Sequence, residues 1–166
     1  MPLEVANFVY EHLRGPIFGW FSQNGLTTLR LPHSDQPPRR IPLLHSWKND
    51  QRTRALNTAL ERYFAGLRED FESIPLDLEA TTPFQQRVYS EAQSIKWGAT
   101  STYGGLCDRM GLDNTSARAV GTALGANPVA ILVPCHRFLS STGKLTGFAA
   151  GLAWKEELLR LEGALI

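Results

Sequence analysis

The residues best suited to chemistry in this chain are consecutive: Pro134, Cys135, His136 and Arg137. A histidine and a guanidinium beside a cysteine are expected to lower the pKa of its thiol and favour the nucleophilic thiolate. The apolar residues 131–133 predict a buried, strand-like segment, which Pro134 ends because it has no N–H to donate. Free cysteine is also among the most buried residue types, so this run alone leaves an inert core cysteine as the alternative.

The composition is that of an ordinary globular chain: 166 residues, 43% hydrophobic and 20% charged, enough for one domain or two small lobes. Residues 1–80 carry nine Lys/Arg and ten Asp/Glu, a net charge of −1, and residues 81–166 carry eight and six, a net charge of +2. Charges this small exclude strong nonspecific binding to a polyanion, so any contact with nucleic acid must be local.

Cysteine usage and apolar runs bear on metals, cofactors and location. The two cysteines form neither a disulfide framework nor a zinc-ligand pattern, so we predict no structural metal and no cofactor. No signal-peptide pattern is seen, and no apolar run approaches the roughly 18 residues of a membrane span. We therefore expect an intracellular, reducing location, cytoplasmic or nuclear in a eukaryotic host, without membrane contact. Cys107 has only Arg109 as a basic neighbour and is expected to be an inert, buried thiol.

Residues 1–80 predict a small N-terminal α/β lobe. The expected elements are strands at 5–10 and 17–21, a hairpin turn at Asn24-Gly25, a strand at 26–31 and a helix over 52–68. Residues 69–80 have no clear period and predict a linker. Arg39 and Arg40, in a loop rich in proline, leave two alternatives open: a contact with phosphate or a solvated loop.

Residues 81–166 predict a mostly helical C-terminal domain. Thr82, Pro83 and Gln85 form a helix-start signature with a capping box. Two short helices joined by a tight turn then predict a helix-turn-helix unit. The expected helices cover residues 83–96, 103–110, 115–124 and 151–163. The predicted fold class is therefore α+β, with an N-terminal small sheet and helix followed by a mostly helical domain.

Two charged residues of this domain lie where their surroundings leave alternatives open. Arg118 is on the outer face of the second short helix, which is unusually rich in alanine and glycine. Small residues either permit tight core packing or give a low-profile helix that carries one long cation into a narrow minor groove. Glu162 leans towards the buried side of the last helix, where it needs a partner. Its alternative is a carboxylate near a fraying helix end that reaches water.

Residues 82–163 resemble the O6-alkylguanine-DNA alkyltransferases, the methylated-DNA–protein-cysteine methyltransferases. The motifs that carry the resemblance are Phe84-Gln85-Gln86-Arg87-Val88-Tyr89, Thr102-Tyr103-Gly104, Ala117-Arg118-Ala119-Val120-Gly121, Gly125-Ala126-Asn127-Pro128-Val129, Pro134-Cys135-His136-Arg137, Leu145-Thr146-Gly147-Phe148 and Leu158-Leu159-Arg160-Leu161-Glu162-Gly163. They occur in register along the whole segment, whereas the N-terminal region resembles the family's variable first domain only in outline.

The resemblance implies a catalytic role for four residues. Cys135 is the nucleophile and permanent alkyl acceptor, and His136 is the base that acts through a water. Glu162 orients the histidine, and Asn127 braces the turn beside the active site.

The resemblance also implies the residues that hold DNA and the lesion. Arg118 takes the place of the extruded nucleotide in the base stack, and Tyr103 rotates the phosphate and donates towards the base. The implied DNA contacts are Arg118, Tyr103, Thr102, Ala117, Ala119 and Arg137. The implied pocket for the alkylated guanine contains Tyr103, Phe138, Phe148, Ala149 and Ala150.

The implied activity is direct repair of double-stranded DNA, in which O6-alkylguanine is extruded through the minor groove and gives its alkyl group to Cys135. The chemistry agrees, because a soft thiolate displaces an alkyl group well and the alkyl carbon is inaccessible inside the duplex. The thioether product is not a leaving group, so we expect a single turnover, by a monomer. O4-alkylthymine is left open as a further substrate.

Two other functions compete with repair. A lesion-binding relative commonly has tryptophan in place of the cysteine, and a cysteine hydrolase using Cys135, His136 and Glu162 would need an oxyanion hole and a histidine distant in sequence. The adjacent Cys135 and His136 argue against both. One position departs from the family pattern: Phe148 stands where tyrosine is usual. The missing hydroxyl hydrogen bond is worth roughly 0.5–1.5 kcal/mol, so we expect slower or less selective repair rather than inactivity.

Overall fold

The computed structural model describes residues 5–44 and 50–165. The first unit of the protein is a three-stranded antiparallel sheet. Its strands, in order across the sheet, are β1 (Phe8–His12), β2 (Gly15–Phe21) and β3 (Leu26–Arg30). The Ser22 amide donates to the Gly25 carbonyl at 2.9 Å and closes the connection between the second and third strands. The hairpin predicted at Asn24-Gly25 is therefore confirmed.

The outer edge of β3 pairs with the chain that leads to the cysteine. The Leu29 amide donates to the Pro128 carbonyl at 2.9 Å, and the Ala130 amide donates to the Leu29 carbonyl at 3.1 Å. These bonds form an isolated parallel bridge between Leu29 and Val129. The N-terminal sheet therefore holds the segment that precedes Cys135.

Helix α1 (Gln51–Phe64) packs beneath this sheet. Asp50 caps it by accepting a hydrogen bond from the Arg52 amide at 2.8 Å, and the side chain of Tyr63 is fully buried. The helix ends four residues before residue 68, the end predicted from the sequence. Gly66 follows with a φ of 76°, a left-handed conformation that glycine adopts without strain and that commonly ends helices.

Part of the segment 69–80 packs against the sheet, so the predicted linker is not a free connection between the two regions. Phe71 and Ile74 are 6% and 5% exposed and belong to the core. The Leu26 amide donates to the Pro75 carbonyl, and the Asp77 amide donates to the Leu26 carbonyl, each at 2.9 Å. The packing comes from contacts distant in sequence, which a search for local periodicity does not detect.

The C-terminal region contains four short helices and a parallel sheet of two strands, each two residues long. The helices are α2 (Pro83–Ala92), α3 (Tyr103–Arg109), α4 (Ala117–Gly125) and α5 (Leu152–Leu161), and the strands are β4 (Ser101–Thr102) and β5 (Phe138–Leu139). The capping box is present, because the Thr82 hydroxyl accepts from the Gln85 amide and the Gln85 side chain accepts from the Thr82 amide. A 3₁₀ turn over Asn114–Ser116 leads into α4, two residues after the predicted start. The predicted helix pair and the α+β fold class agree with the structure.

Two large hydrophobic clusters form most of the core. One lies within the C-terminal region and includes Val88, Leu106 and Val120. The other joins Tyr63 of the N-terminal region to a set that lies beyond residue 81: Val129, Ile131, Leu132, Ala150, Trp154 and Leu158. The division into residues 1–80 and 81–166 stays a prediction, although the two parts share a core. In the described part of the chain, no helix is sufficiently long and apolar to cross a bilayer.

Residues 131–133 are buried as predicted, but they form a turn rather than a strand. The Leu132 amide donates to the Ala130 carbonyl and the Val133 amide to the Val129 carbonyl, at 2.9 and 3.1 Å. Ile131 has a φ of 72°, a left-handed conformation that is strained for a β-branched residue. The turn directs the chain into the core immediately before the cysteine.

Candidate active site

Cys135 lies at the start of a single 3₁₀ turn, Cys135–Arg137, between the buried turn and strand β5. Asn127 connects this turn to the end of α4. Its Nδ2 donates to the Val133 carbonyl at 2.9 Å and to Cys135 Sγ at 3.2 Å, while its Oδ1 accepts from the Val129 amide at 2.9 Å. The side chain of Asn127 therefore binds the turn and the sulfur together.

The electrostatics of Cys135 differ from the sequence-based expectation of a thiol with a lowered pKa. Burial raises the pKa of Cys135, and the Asn127 hydrogen bond and the charge of Lys155 only partly oppose this. His136 adds no positive charge, because burial lowers its pKa as well. Arg137 is paired with Glu162 rather than with the thiol. The thiol is therefore protonated at neutral pH and needs a base.

Glu162 is the centre of a buried hydrogen-bond network. Its Oε1 accepts from Tyr63 Oη at 2.6 Å, from His136 Nε2 at 2.7 Å and from Arg137 Nη2 at 2.9 Å, and its Oε2 accepts from Arg137 Nε at 2.8 Å. Burial favours the neutral acid, but the bonds from His136 and Arg137 outweigh it and lower the pKa of Glu162 to about 2. Glu162 is therefore ionised and buried, and the alternative of a solvated carboxylate is wrong.

The ionised carboxylate determines which nitrogen of His136 carries the proton. An ionised carboxylate only accepts hydrogen bonds, so Nε2, 2.7 Å from Oε1, is the donor. The neutral ring then has its lone pair on Nδ1, which is buried and has no hydrogen-bond partner among residues 5–44 and 50–165. His136 is thus arranged to accept a proton at Nδ1.

Arg137 was predicted to contact DNA, and the structure does not agree. The residue is 7% exposed, and besides its two bonds to Glu162 it donates from Nη1 to the Ile95 carbonyl at 2.5 Å. A guanidinium held in this way is a structural partner of the carboxylate and is inaccessible to a phosphate.

Lys155 is a site residue that the sequence reasoning missed. It is fully buried, and its Nζ donates to the Thr146 carbonyl at 2.7 Å and lies 6.0 Å from the centre of the Tyr103 ring. Burial lowers its pKa to about 8, and the negative charge that Cys135 carries once it is ionised opposes this. Its position three residues before Leu158, on the apolar stripe of α5, could have indicated a buried lysine.

Tyr63 was missed as well, because its neighbour Phe64 fits the same helical spacing after Leu56 and Leu60. In the structure the buried positions include Leu56, Leu60 and Tyr63, which are equally compatible with helical spacing. Nothing in the sequence connects Tyr63 to Glu162, since the two residues are 99 positions apart.

A cavity of about 910 Å³ opens beside Cys135, between the helix pair and the N-terminal sheet. Tyr103, Phe148, Ala149 and Ala150 line it, as expected for the pocket. Phe138 does not line it, because its side chain is fully buried in the core cluster of the C-terminal region. The far wall belongs to the N-terminal region: Phe18, Arg30, Pro32, His33, Pro37, Pro38 and Arg39.

The helix pair carries the residues predicted to contact DNA other than Arg137. Arg118 is exposed, with Ala117 half-buried and Ala119 exposed beside it. Thr102 caps α3, and its hydroxyl accepts from the Gly105 amide at 2.9 Å. The small residues of α4 therefore lie partly at the surface, where core packing does not require them, and this favours the interpretation of a low-profile helix.

Comparison with known proteins agrees with this site. Residues 83–164 match the family model described as the DNA-binding domain of 6-O-methylguanine DNA methyltransferase. The methylated-DNA–protein-cysteine methyltransferase of Methanosarcina acetivorans is 39% identical over 94% of this chain and 97% of its own length. The chain belongs to the methylated-DNA–protein-cysteine methyltransferase family. It is therefore an enzyme of direct DNA repair, which transfers an alkyl group from DNA to one of its own cysteines.

Two further methyltransferases of the family extend this result. The one from Metallosphaera sedula is 46% identical, over 64% of this chain and 65% of its own length. The crystal structure of Mycobacterium tuberculosis OGT in complex with DNA is 35% identical, covers 95% of this chain and 92% of that chain, and gives a TM-score of 0.79. The similarity thus includes the N-terminal lobe, where the sequence alone indicated only an outline.

Proposed function

We propose that Cys135 takes the alkyl group of an O6-alkylguanine in DNA and keeps it. The observation that carries the proposal is the position of the sulfur, which is half-buried at the cavity and bonded to Asn127. Cys107, the other cysteine, is fully buried in the core cluster of the C-terminal region and does not line the cavity.

In the proposed step the sulfur forms a bond to the alkyl carbon with its own electron pair. The bond between that carbon and O6 breaks, and its electron pair stays on guanine. The thiol releases its proton and guanine takes one up, so the products are S-alkylcysteine and intact guanine. A thioether does not leave under these conditions, so each molecule reacts once.

His136 is the proposed base for the thiol. The raised pKa of Cys135 makes a base necessary, and the free lone pair on His136 Nδ1 supports this role. A bridging water between the two is part of the proposal. Asn127 orients the sulfur, and the charge of Lys155 supports the thiolate as it forms.

Arg118 is the proposed side chain that fills the gap left by an extruded nucleotide. Its exposure on a helix of small residues fits insertion into the minor groove of double-stranded DNA. Thr102, Ala117 and Ala119 would lie against the DNA backbone around the inserted Arg118. The cavity beside Tyr103 and Phe148 would take the base, with Ala149 and Ala150 leaving room for the alkyl group.

The remaining details are also proposals. We propose that the protein acts as a monomer, because the cavity, the thiol and the base all belong to one chain. A reducing intracellular location fits its two free cysteines, one of which must stay reduced to react.

The test is mass spectrometry after incubation with duplex DNA that contains O6-methylguanine. We expect one methyl group on Cys135 and an equal molar loss of the lesion. Cys135→Ala should bind the lesion without repairing it, whereas the matched control Cys107→Ala should still accept one methyl group. Repeated turnover, or an unmodified Cys135 after the lesion has disappeared, would contradict the proposal.

A further inference from the structure

The phenol of Tyr63 reaches from the N-terminal lobe into the network around His136. Tyr63 Oη donates to Glu162 Oε1 at 2.6 Å, the same oxygen that accepts from His136 Nε2 at 2.7 Å. The phenol oxygen is itself 3.5 Å from His136 Nε2. One carboxylate oxygen is therefore shared by the tyrosine and the histidine, and it also accepts from Arg137 Nη2 at 2.9 Å.

We propose that Tyr63 is a positioning residue of the alkyl-transfer site. Its hydrogen bond to Glu162 Oε1 weakens the stabilisation that this carboxylate would give to a protonated His136, and so keeps the imidazole neutral. The inference rests on the proposed role of His136 as the base. An imidazolium cannot accept the thiol proton, so a histidine that stays neutral at working pH is what the reaction requires.

Packing explains the ring of Tyr63 but not its hydroxyl. The ring makes edge-to-face contacts with Phe64 and Trp97, at centroid distances of 5.3 and 5.2 Å. A phenylalanine would make the same contacts without burying a polar group, which is costly unless it is hydrogen-bonded. Burial and the neighbouring charge of Glu162 raise the pKa of Tyr63 well above 10, so the phenol stays a neutral donor.

The charge state of His136 is a balance among the groups that face it. Burial opposes the imidazolium, as do the positive charges of Arg137 and Lys155, and the negative charge of Glu162 favours it. Tyr63 adds no charge, but it draws on the same oxygen of Glu162 that would stabilise the imidazolium. Removing the hydroxyl leaves more of the carboxylate's charge to His136 and shifts the balance towards protonation.

The experiment compares Tyr63→Phe with the wild type in two measurements. One is the NMR titration of the His136 ring, and the other is the pH dependence of Cys135 alkylation by free O6-benzylguanine, which needs no DNA. We expect the His136 midpoint and the acidic limb of the rate profile to move upwards together by about 0.5–1 pH unit. The rate on the alkaline plateau should change much less.

Tyr89→Phe is the matched control. Tyr89 is also fully buried, and its phenol donates to the Ala123 carbonyl at 2.8 Å rather than to Glu162. The control loses the same kind of buried hydrogen bond, so a general loss of stability would affect both variants. Only Tyr63→Phe should move the His136 midpoint.

A second substitution tests the opposite direction without a change of shape. 3-Fluorotyrosine at position 63 has a more acidic phenol, donates more strongly to Glu162 and should lower the His136 midpoint. If Tyr63→Phe does not fold, the fluorinated protein alone decides. Unchanged midpoints, or shifts opposite to those expected, overturn the inference. A wild-type protein whose Cys135 is not alkylated by O6-benzylguanine would instead overturn the proposed function.

Discussion

Replacing Glu162 with glutamine removes the charge on which the buried network depends. The resulting loss in the free energy of unfolding can be calculated in two ways. The pKa of Glu162 is about 2, against an ordinary 4.5. The difference of about 2.5 units corresponds to about 3 kcal/mol at roughly 1.36 kcal/mol per unit. Separately, removing one partner of a buried ion pair costs about 3–5 kcal/mol, because here Arg137 would stay buried without its anion. We expect Glu162→Gln to lower the free energy of unfolding by about 3 kcal/mol at pH 7.

The same numbers predict how this cost depends on pH. The pKa of Glu162 is lower in the folded than in the unfolded chain, so its stabilisation is complete above pH 4.5 and is lost as the pH falls towards 2. At pH 3 the unfolded carboxyl is mostly protonated, whereas the folded one is still mostly ionised. About 2 of the 3 kcal/mol should therefore be lost between pH 7 and pH 3.

Urea unfolding at the two pH values, followed by tryptophan fluorescence, measures both effects. Glu79→Gln is the control, since Glu79 is exposed and lies outside the network. The comparison of Glu162→Gln with its parent is repeated in a His136→Asn background. This is needed because burial lowers the pKa of His136, so the folded protein also loses stability in acid through this residue. A cost below about 1 kcal/mol at pH 7, or an equal cost at pH 3, would refute the assignment of Glu162 as an ionised buried group.

Two further predictions concern DNA binding and the pocket. Arg118→Ala should weaken binding to duplex O6-methylguanine DNA by about 1–3 kcal/mol in fluorescence anisotropy, with Arg160→Ala as an exposed control on α5. The rate at which Arg118→Ala reacts with free O6-benzylguanine should be unchanged. An equal loss of rate with this free base would contradict a role limited to DNA binding. Phe148→Tyr restores the hydroxyl that the family pattern has at this position and should speed alkylation by O6-benzylguanine up to about tenfold. An unchanged or lower rate would mean that the hydroxyl finds no partner in this pocket.

The sequence predicted well the parts of the fold that local chemistry determines. The capping box at Thr82 and the hairpin at Asn24-Gly25 depend on residues a few positions apart, and both are present. The positions of Asn127 and Cys135 at one turn also agree with what the motifs implied.

Contacts between distant residues could not be predicted in this way. Adjacency to Cys135 suggested that His136 and Arg137 would lower the pKa of the thiol, but both side chains are bonded to Glu162 instead. The linker at 69–80 is packed for a similar reason, since the sheet it contacts lies elsewhere in the chain. In each case the outcome depended on burial and on tertiary partners, which sequence spacing does not encode.

The pairing of β3 with residues 128–130 has a consequence for how the reactive centre is assembled. The ribosome makes the chain from its amino end, so the sheet that receives this segment is synthesised about a hundred residues before the segment emerges. Leu29 offers its backbone groups as a template, and Cys135 follows five residues after the last template contact. The strand that restrains the segment before Cys135 is thus translated well before the nucleophile itself, so the reactive centre can be assembled only after both parts of the chain have been made.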